Sequence, residues 1–456
     1  MASMHLEVSP STYSRWNNSA LPRTPKHAGE RLKQKLLSAI CEGDRTHAPT
    51  LFSVIERVRD VMLRKPDSGG RTVMAVERIV QLDRARTFIT LLVVLHHSVV
   101  NYTYFGNGDK MRWLGFDLVV LFNDSFFMAC MFFISGLFVR DSLARRGPAN
   151  FLANRAWRLG VPFFISIFVV TPIAYYPTFL RYHPPGTTDF NFFHFWWHML
   201  TIGPWPSGSA WFLWVLLALG AIAALLWAAA PRVIEALGQL IYVPRDRPMT
   251  AFVAFLIFSI IVYLPMRLIF GDSSWLEPGH YPLPIQTSRI LLYAGYFFTG
   301  VGVGSVSLRN GMLAENGALV KRWTVWLAFV FAFYGVILLL VYAHHNWLTD
   351  FNSPPLWWHT AYGLAFAMFS AAMTFTVPAI FLRFARSSLW LLDAMRPSAY
   401  GIYLLHFIFL IWLQYIVYDP AFPAFVKFAI VFTGTLSMSW ALTVLLRKIP
   451  VVARTI

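Results

Sequence analysis

The sequence predicts an all-α fold, a polytopic membrane bundle of about ten transmembrane helices with both termini in the cytoplasm. Three observations lead there. First, 57% of the 456 residues are hydrophobic and only 13% charged, about half the charged fraction of an ordinary soluble domain. Second, the apolar residues gather into runs of about 20, the length that crosses a ~30 Å hydrocarbon core. Third, Lys and Arg outnumber Asp and Glu by 38 to 22, and the excess cations fall in alternate connections. The period-2 alternation of a barrel strand is missing, so helices are the structure left to satisfy the backbone in lipid.

Residues 1–77 form a polar extension rich at its start in Ser, Pro, Asn and Thr, with no apolar stretch that could act as a signal peptide. Between Leu51 and Arg64, Val54, Ile55, Val58, Val61 and Met62 fall at helical spacing among Arg57, Arg59 and Arg64. That pattern reads either as a basic amphipathic helix on the inner leaflet, in contact with membrane lipids, or as a tethered tail. Residues 78–456 make the transmembrane domain. Its expected spans are 87–105, 116–139, 159–180, 210–230, 250–270, 288–308, 324–343, 358–382, 399–418 and 424–446.

The connections test this count. Alternate connections, beginning with the one that follows span two, hold 17 cations, the opposite connections and span ends hold 6, and 15 precede span one. Cytoplasmic segments are the richer in Lys and Arg, so that series lies inside. The same distribution excludes a nucleic-acid reader, whose cations cluster on one soluble face. Cys41 and Cys130, far apart, make neither a disulfide framework nor a zinc site and read as free thiols.

Ionisable groups inside spans mark function by default. His97 stands eleven residues after Arg86, about 16 Å into the membrane, while His96 points about 100° away around the helix. Asp124 of span two falls at a depth similar to His97, ~12 Å from the outer ends of their spans. A carboxylate there would fix the imidazole tautomer and raise its basicity. A purely structural inter-helix hydrogen bond is the other reading. In span nine, Tyr400, Tyr403 and His406 follow each other at i, i+3 and so share a face, suited to lining a substrate or to packing. Arg155 and Arg158, also i, i+3, present paired guanidinium forks that fit a polyphosphate or carboxylate, though five arginines in this loop also satisfy topology alone. His194 and His198 have i, i+4 spacing with no third ligand, and with Trp196 and Trp197 they suit an interfacial belt. No metal site is expected.

Taken in order, these stretches resemble the acyltransferase 3 family of integral membrane O-acyltransferases, in the branch similar to glucan-modifying (succinyl or acetyl) transferases of the Gram-negative envelope. The resemblance is carried by Leu82-Asp83-Arg84-Ala85-Arg86 followed by Leu91 to His96-His97, by Phe132-Phe133-Ile134-Ser135-Gly136-Leu137-Phe138, and by Phe151-Leu152-Ala153-Asn154-Arg155-Ala156-Trp157-Arg158-Leu159 leading to Pro162. It continues through Trp211-Phe212-Leu213-Trp214 and Tyr400-Gly401-Ile402-Tyr403-Leu404-Leu405-His406, covering roughly residues 78–446. Ser209 occupies a position where the family often has His, so no role for that His carries over.

The resemblance implies a multi-pass enzyme of the inner membrane that moves a short acyl group from acyl-coenzyme A to a hydroxyl of a carbohydrate or lipid-linked acceptor, with no bound cofactor and no nucleic acid. His97 is then the expected base with Asp124 as its partner, Arg86, Arg155 and Arg158 the donor binders, Asp83 the group orienting Arg86, and Tyr403 and His406 substrate-lining residues. The rival reading is a secondary transporter or flippase in which His97, Asp124 and Arg289 form a relay.

Overall fold

The computed structural model describes residues 79–106, 108–183, 191–241, 246–272, 274–276, 281–305, 311–348 and 354–456, all in one compact unit. The polar extension 1–77, with its amphipathic segment and Cys41, lies outside the described residues.

The first helix, α1 (Val80–Val100), begins seven residues earlier than the apolar run, because its first-turn charges have partners. Arg84 is buried and forks onto the Asp393 carboxylate at 2.8 and 2.6 Å, and its Nη1 also donates to the carbonyls of Ala385 and Ser387. Span two is not one helix as expected but two, α2 (Leu114–Asp124) and α3 (Phe127–Gly136). At the break Phe126 leaves helical geometry, and the Ser125 hydroxyl folds back onto the Leu121 carbonyl.

The expected cytoplasmic loop before span three is also helical. A continuous run from Val139 to Tyr182 contains α4 (Val139–Arg155), a π segment Ala156–Gly160, α5 (Val161–Ile165), a second π segment Ser166–Val170, and α6 (Thr171–Tyr182). Its kink is at Gly147, where φ of 71° is followed by Pro148, a backbone that glycine adopts without the Cβ clash. A run of this length exceeds the hydrocarbon core, so the arginine-bearing part stands out of it.

The remaining elements follow the apolar pattern. They are α7 (Phe192–Thr201), α8 (Trp211–Ala229), the amphipathic α9 (Pro231–Ile241) and α10 (Pro248–Phe270). A two-residue hairpin, β1 (Trp275–Leu276) with β2 (Ile285–Gln286), precedes α11 (Ile290–Ser305). Then come α12 (Ala318–Lys321), α13 (Trp323–Asn346), α14 (Leu356–Phe384), α15 (Trp390–Met395), α16 (Ala399–Ile416), α17 (Ala424–Leu446) and α18 (Pro450–Ala453). Among the described residues eight helices are long and apolar enough to cross a membrane. The other two expected spans are α1, with three charges in its first two turns, and α11, whose described helix has 16 residues.

Helices α1 and α14 form the middle of the bundle, with α1 packed on α2, α3, α14, α16 and α17. By contrast α13 and α17 turn Phe331, Leu339, Phe425 and Leu445 outward, as lipid-facing helices do. Small residues let α3 and α11 approach closely: a Cβ on Gly300 would lie 2.1 Å from the Phe133 carbonyl, and one on Gly304 2.0 Å from that of Leu137. Such small-residue seams replace hydrophobic burial as the source of helix association in lipid.

The hydrogen bonds sort the connections into the two expected sets. At the arginine-rich end, Arg84 meets residues 385–393, Arg386 donates to the Glu315 carbonyl, and Tyr400 donates to the Arg158 carbonyl. At the opposite end Lys427 meets Asp109, and Arg181 donates to the Gly108 carbonyl.

Candidate functional site

His97 lies where α1 crosses α16. Its ring stacks on that of His406, with centroids 5.6 Å apart and planes inclined by 28°, and meets Phe407 edge-on at 4.9 Å. Burial is nearly complete for His96, His97 and His406, yet His97 keeps 6% of its surface open while His406 keeps none. Gln414 donates to the His97 backbone carbonyl at 3.1 Å, which ties the two helices together beside the rings.

His406 Nδ1 lies 2.7 Å from the Tyr403 carbonyl. A carbonyl only accepts, so Nδ1 carries the proton and Nε2 is left as the lone-pair nitrogen. That Nε2 is buried with no partner among the described residues. Tyr403 in turn donates from its hydroxyl to the Ser209 carbonyl at 2.5 Å, fastening α16 to the short 3-10 turn Gly208–Ala210 that opens α8. Gly208 has φ of 54°, and a Cβ there would touch Phe407. The positions His97, Tyr403 and His406 singled out in the sequence are therefore brought into one cluster.

Asp124 is not the partner of His97. Arg289, in the 3-10 turn before α11, grips the Asp124 carboxylate with Nη1 at 2.9 Å and Nη2 at 2.6 Å, and Nη1 also takes the Asp124 carbonyl at 3.1 Å. The cause is the break between α2 and α3, which frees the carbonyls at the end of α2 and turns the carboxylate toward Arg289. Arg289 lies over the Phe366 ring at 4.8 Å. It is His96, T-shaped against His97 at 5.3 Å, that feels the charges of Asp124 and Arg289. The Asp124 side chain stays 26% exposed in the middle of the bundle, so an open space adjoins it.

A second buried cluster stands nearer the outer end. Arg267 pairs with Asp272 and lies over the Tyr362 ring at 4.6 Å, and Tyr263 stacks on Phe366 at 4.6 Å. Lys427 and Asp109, both almost fully buried, form a further pair at 2.9 Å. Lys427 and Asp109 lie 318 positions apart and Arg267 and Asp272 five, and the signal for both pairs was the cation inside an apolar span, since the two carboxylates fall outside the expected spans.

On the arginine-rich side, Arg155 is part-buried with its guanidinium over the Phe151 ring at 5.2 Å, and the charges of Arg86, Arg158 and Arg146 all act on it. Arg158 is exposed, and Tyr400 donates to its backbone carbonyl at 2.6 Å. Tyr400 and His406 are six residues apart on α16, about 9 Å along the axis, so the arginine group and the histidine cluster are served by the same helix. Asp83 and Arg86 are both part-buried, on the first and second turns of α1. Among the described residues no set of three metal-ligating side chains converges, and Cys130 is a buried free thiol.

The family model described as an acyltransferase domain matches residues 79–444. No curated protein matches the chain.

Proposed function

The chain belongs to the acyltransferase 3 family of membrane acyltransferases, and from that premise we propose that it moves a short acyl group from acyl-coenzyme A to a hydroxyl of a cell-envelope carbohydrate or lipid-linked acceptor. The observation that carries this reading is the buried imidazole pair His97–His406, in which His97 alone retains open surface. Acyl transfer to an alcohol needs a base for the hydroxyl proton. In the proposed step His97 takes that proton, the acceptor oxygen bonds to the thioester carbonyl carbon, the C–S bond breaks, and the proton leaves on the coenzyme thiol. Among the described residues no Ser or Cys stands against a base as an activated nucleophile, and the buried Cys130 has no histidine partner, which favours direct transfer.

Arg155, Arg158 and Arg86 supply the cationic group for the coenzyme's phosphates, on the side we assign to the cytoplasm of a Gram-negative inner membrane. The Asp124–Arg289 fork works against the relay of a transporter, because it commits the carboxylate to Arg289 and not to His97.

The test uses the full chain in nanodiscs with radiolabelled acetyl- and succinyl-coenzyme A and an envelope extract as acceptor. His97→Ala should lower acyl transfer by about 10²-fold or more, the usual contribution of a general base, while the protein still inserts and elutes as a single species. Near wild-type transfer by that variant removes the base assignment. Proton-coupled uptake by vesicles with no turnover of the thioester removes the transferase reading.

A further inference from the structure

We propose that the leading end of α8, at Gly208 and Ser209 with the Ser207 hydroxyl, holds the oxyanion that forms when the acceptor oxygen attacks the thioester carbonyl, a role that rests on the transferase reading.

Helix α8 does not begin at a membrane surface. Gly208, in its opening 3-10 turn, packs against the Phe407 ring and the Thr171 hydroxyl, which a Cβ there would approach to 3.5 and 3.7 Å. Phe407 stands eight residues, about 12 Å, into α16, and Thr171 eleven residues, about 16 Å, from the outer end of α6. The turn thus lies in the middle of the bundle at the depth of His97, whose ring meets the same Phe407 ring. From there α8 runs toward the arginine-rich end, where Gly220 packs by Phe151. The positive end of its dipole is therefore beside the histidine pair.

The polar groups at this end lack partners. The first N–H groups of a helix have no intrahelical acceptor, and Ser207, at the N-cap of the turn, makes no side-chain cap bond. Ser207 is 2% exposed, and its hydroxyl has no partner among the described residues. Tyr403, His406 and Phe407 share one face of α16. Tyr403 bonds the Ser209 carbonyl and Phe407 packs on Gly208, so the fully buried His406, whose Nε2 is equally without a partner, is turned to the same place.

Unpaired donors and an unpaired acceptor, each costly when buried, therefore converge here. A reacting thioester meets both demands. The acceptor hydroxyl donates toward the imidazoles, and the carbonyl oxygen, as the C=O π pair moves onto it, accepts from the N–H groups. Hydrogen bonds of about 3 Å on either side of the reacting carbon span the single-ring gap between His97 and Gly208. On collapse the C=O re-forms, the C–S bond breaks, and the thiolate takes the proton from His97.

The experiment measures steady-state transfer by the full chain in nanodiscs. Ser209→Pro deletes one N–H, is compatible with the first turn of a helix, and keeps the carbonyl that Tyr403 holds. It should lower kcat by about 10²-fold with the donor KM unchanged, whereas Ser209→Ala, which keeps the N–H, should stay within about twofold of wild type. Ser207→Ala should lower kcat by about three- to tenfold, the worth of one hydrogen bond. Should Ser209→Pro fail to insert, replacing Ser209 by its α-hydroxy acid removes the same N–H with the same expectation. Wild-type kcat in Ser209→Pro or in Ser207→Ala, an equal loss in Ser209→Ala, or a loss confined to KM would each overturn this site while the wild type still transfers. No transfer by the wild type overturns the transferase reading and this site with it.

Discussion

One hydrogen bond decides which nitrogen of His406 is available: with Nδ1 committed to the Tyr403 carbonyl, the free lone pair is on Nε2 beside the His97 ring. In the proposed transfer His406 would act through His97, as a positioning residue. His406→Phe keeps the ring stack and removes the nitrogen, and is expected to lower kcat while leaving the donor KM within about twofold, as read by steady-state transfer assays. The Asp124–Arg289 fork makes a different demand. Removing Arg289 leaves the Asp124 carboxylate, itself 26% exposed, in the bundle without its fork. Arg289→Met should thus lower the unfolding midpoint in detergent by several degrees, and the double change Arg289→Met with Asp124→Leu should recover much of that loss. At this scale the sequence made the intramembrane charges and histidines visible but not their pairing. His97 and Asp124 were matched by depth alone, whereas pairing depends on which way each helix is turned, and the break after Asp124 turned it toward Arg289.

Among the elements, the run from α4 to α6 bears most directly on the proposed donor binding. Its arginines were legible as a cationic group, but the segment looked like a loop because its polar composition hides a helix that projects beyond the apolar layer. A π segment adds a residue to a turn. Deleting Ala156 should convert Ala156–Gly160 to plain α-helix and rotate everything before it by about 100°, carrying Arg155 off its present face. The expected outcome is at least a tenfold rise in the KM for acyl-coenzyme A with the protein still folded, and Arg155→Ala with Arg158→Ala should give a similar rise. The seam of α3 and α11 is a packing feature of another kind. Gly300→Leu forces a side chain into a carbonyl 2.1 Å from its Cβ, so the folded yield measured by fluorescence size-exclusion should collapse. Its glycines were readable as small residues in a span, but which helix they faced was not, since that depends on a contact 164 positions away between Gly136 and Gly300.

For the molecule as a whole, the alternation of cations carried the topology, because membrane insertion reads charge locally and needs no tertiary contact. A cysteine placed at the exposed Arg146 and one placed at the exposed Tyr281 should react with an impermeant maleimide from opposite sides of oriented vesicles. Reaction of both from one side would break the expected topology. What no local pattern revealed is how firmly the central helix is held. Arg84 fastens the first turns of α1 to residues 385–393, and at its other end Asp109 donates its backbone N–H to the Asn101 carbonyl while its carboxylate is held by Lys427 of α17. In mechanical terms α1 is a beam clamped at both ends, with His97 between the clamps. Its amides should be the last in the protein to exchange with deuterium, and the shape changes that admit and release substrate are left to the helices that move around it.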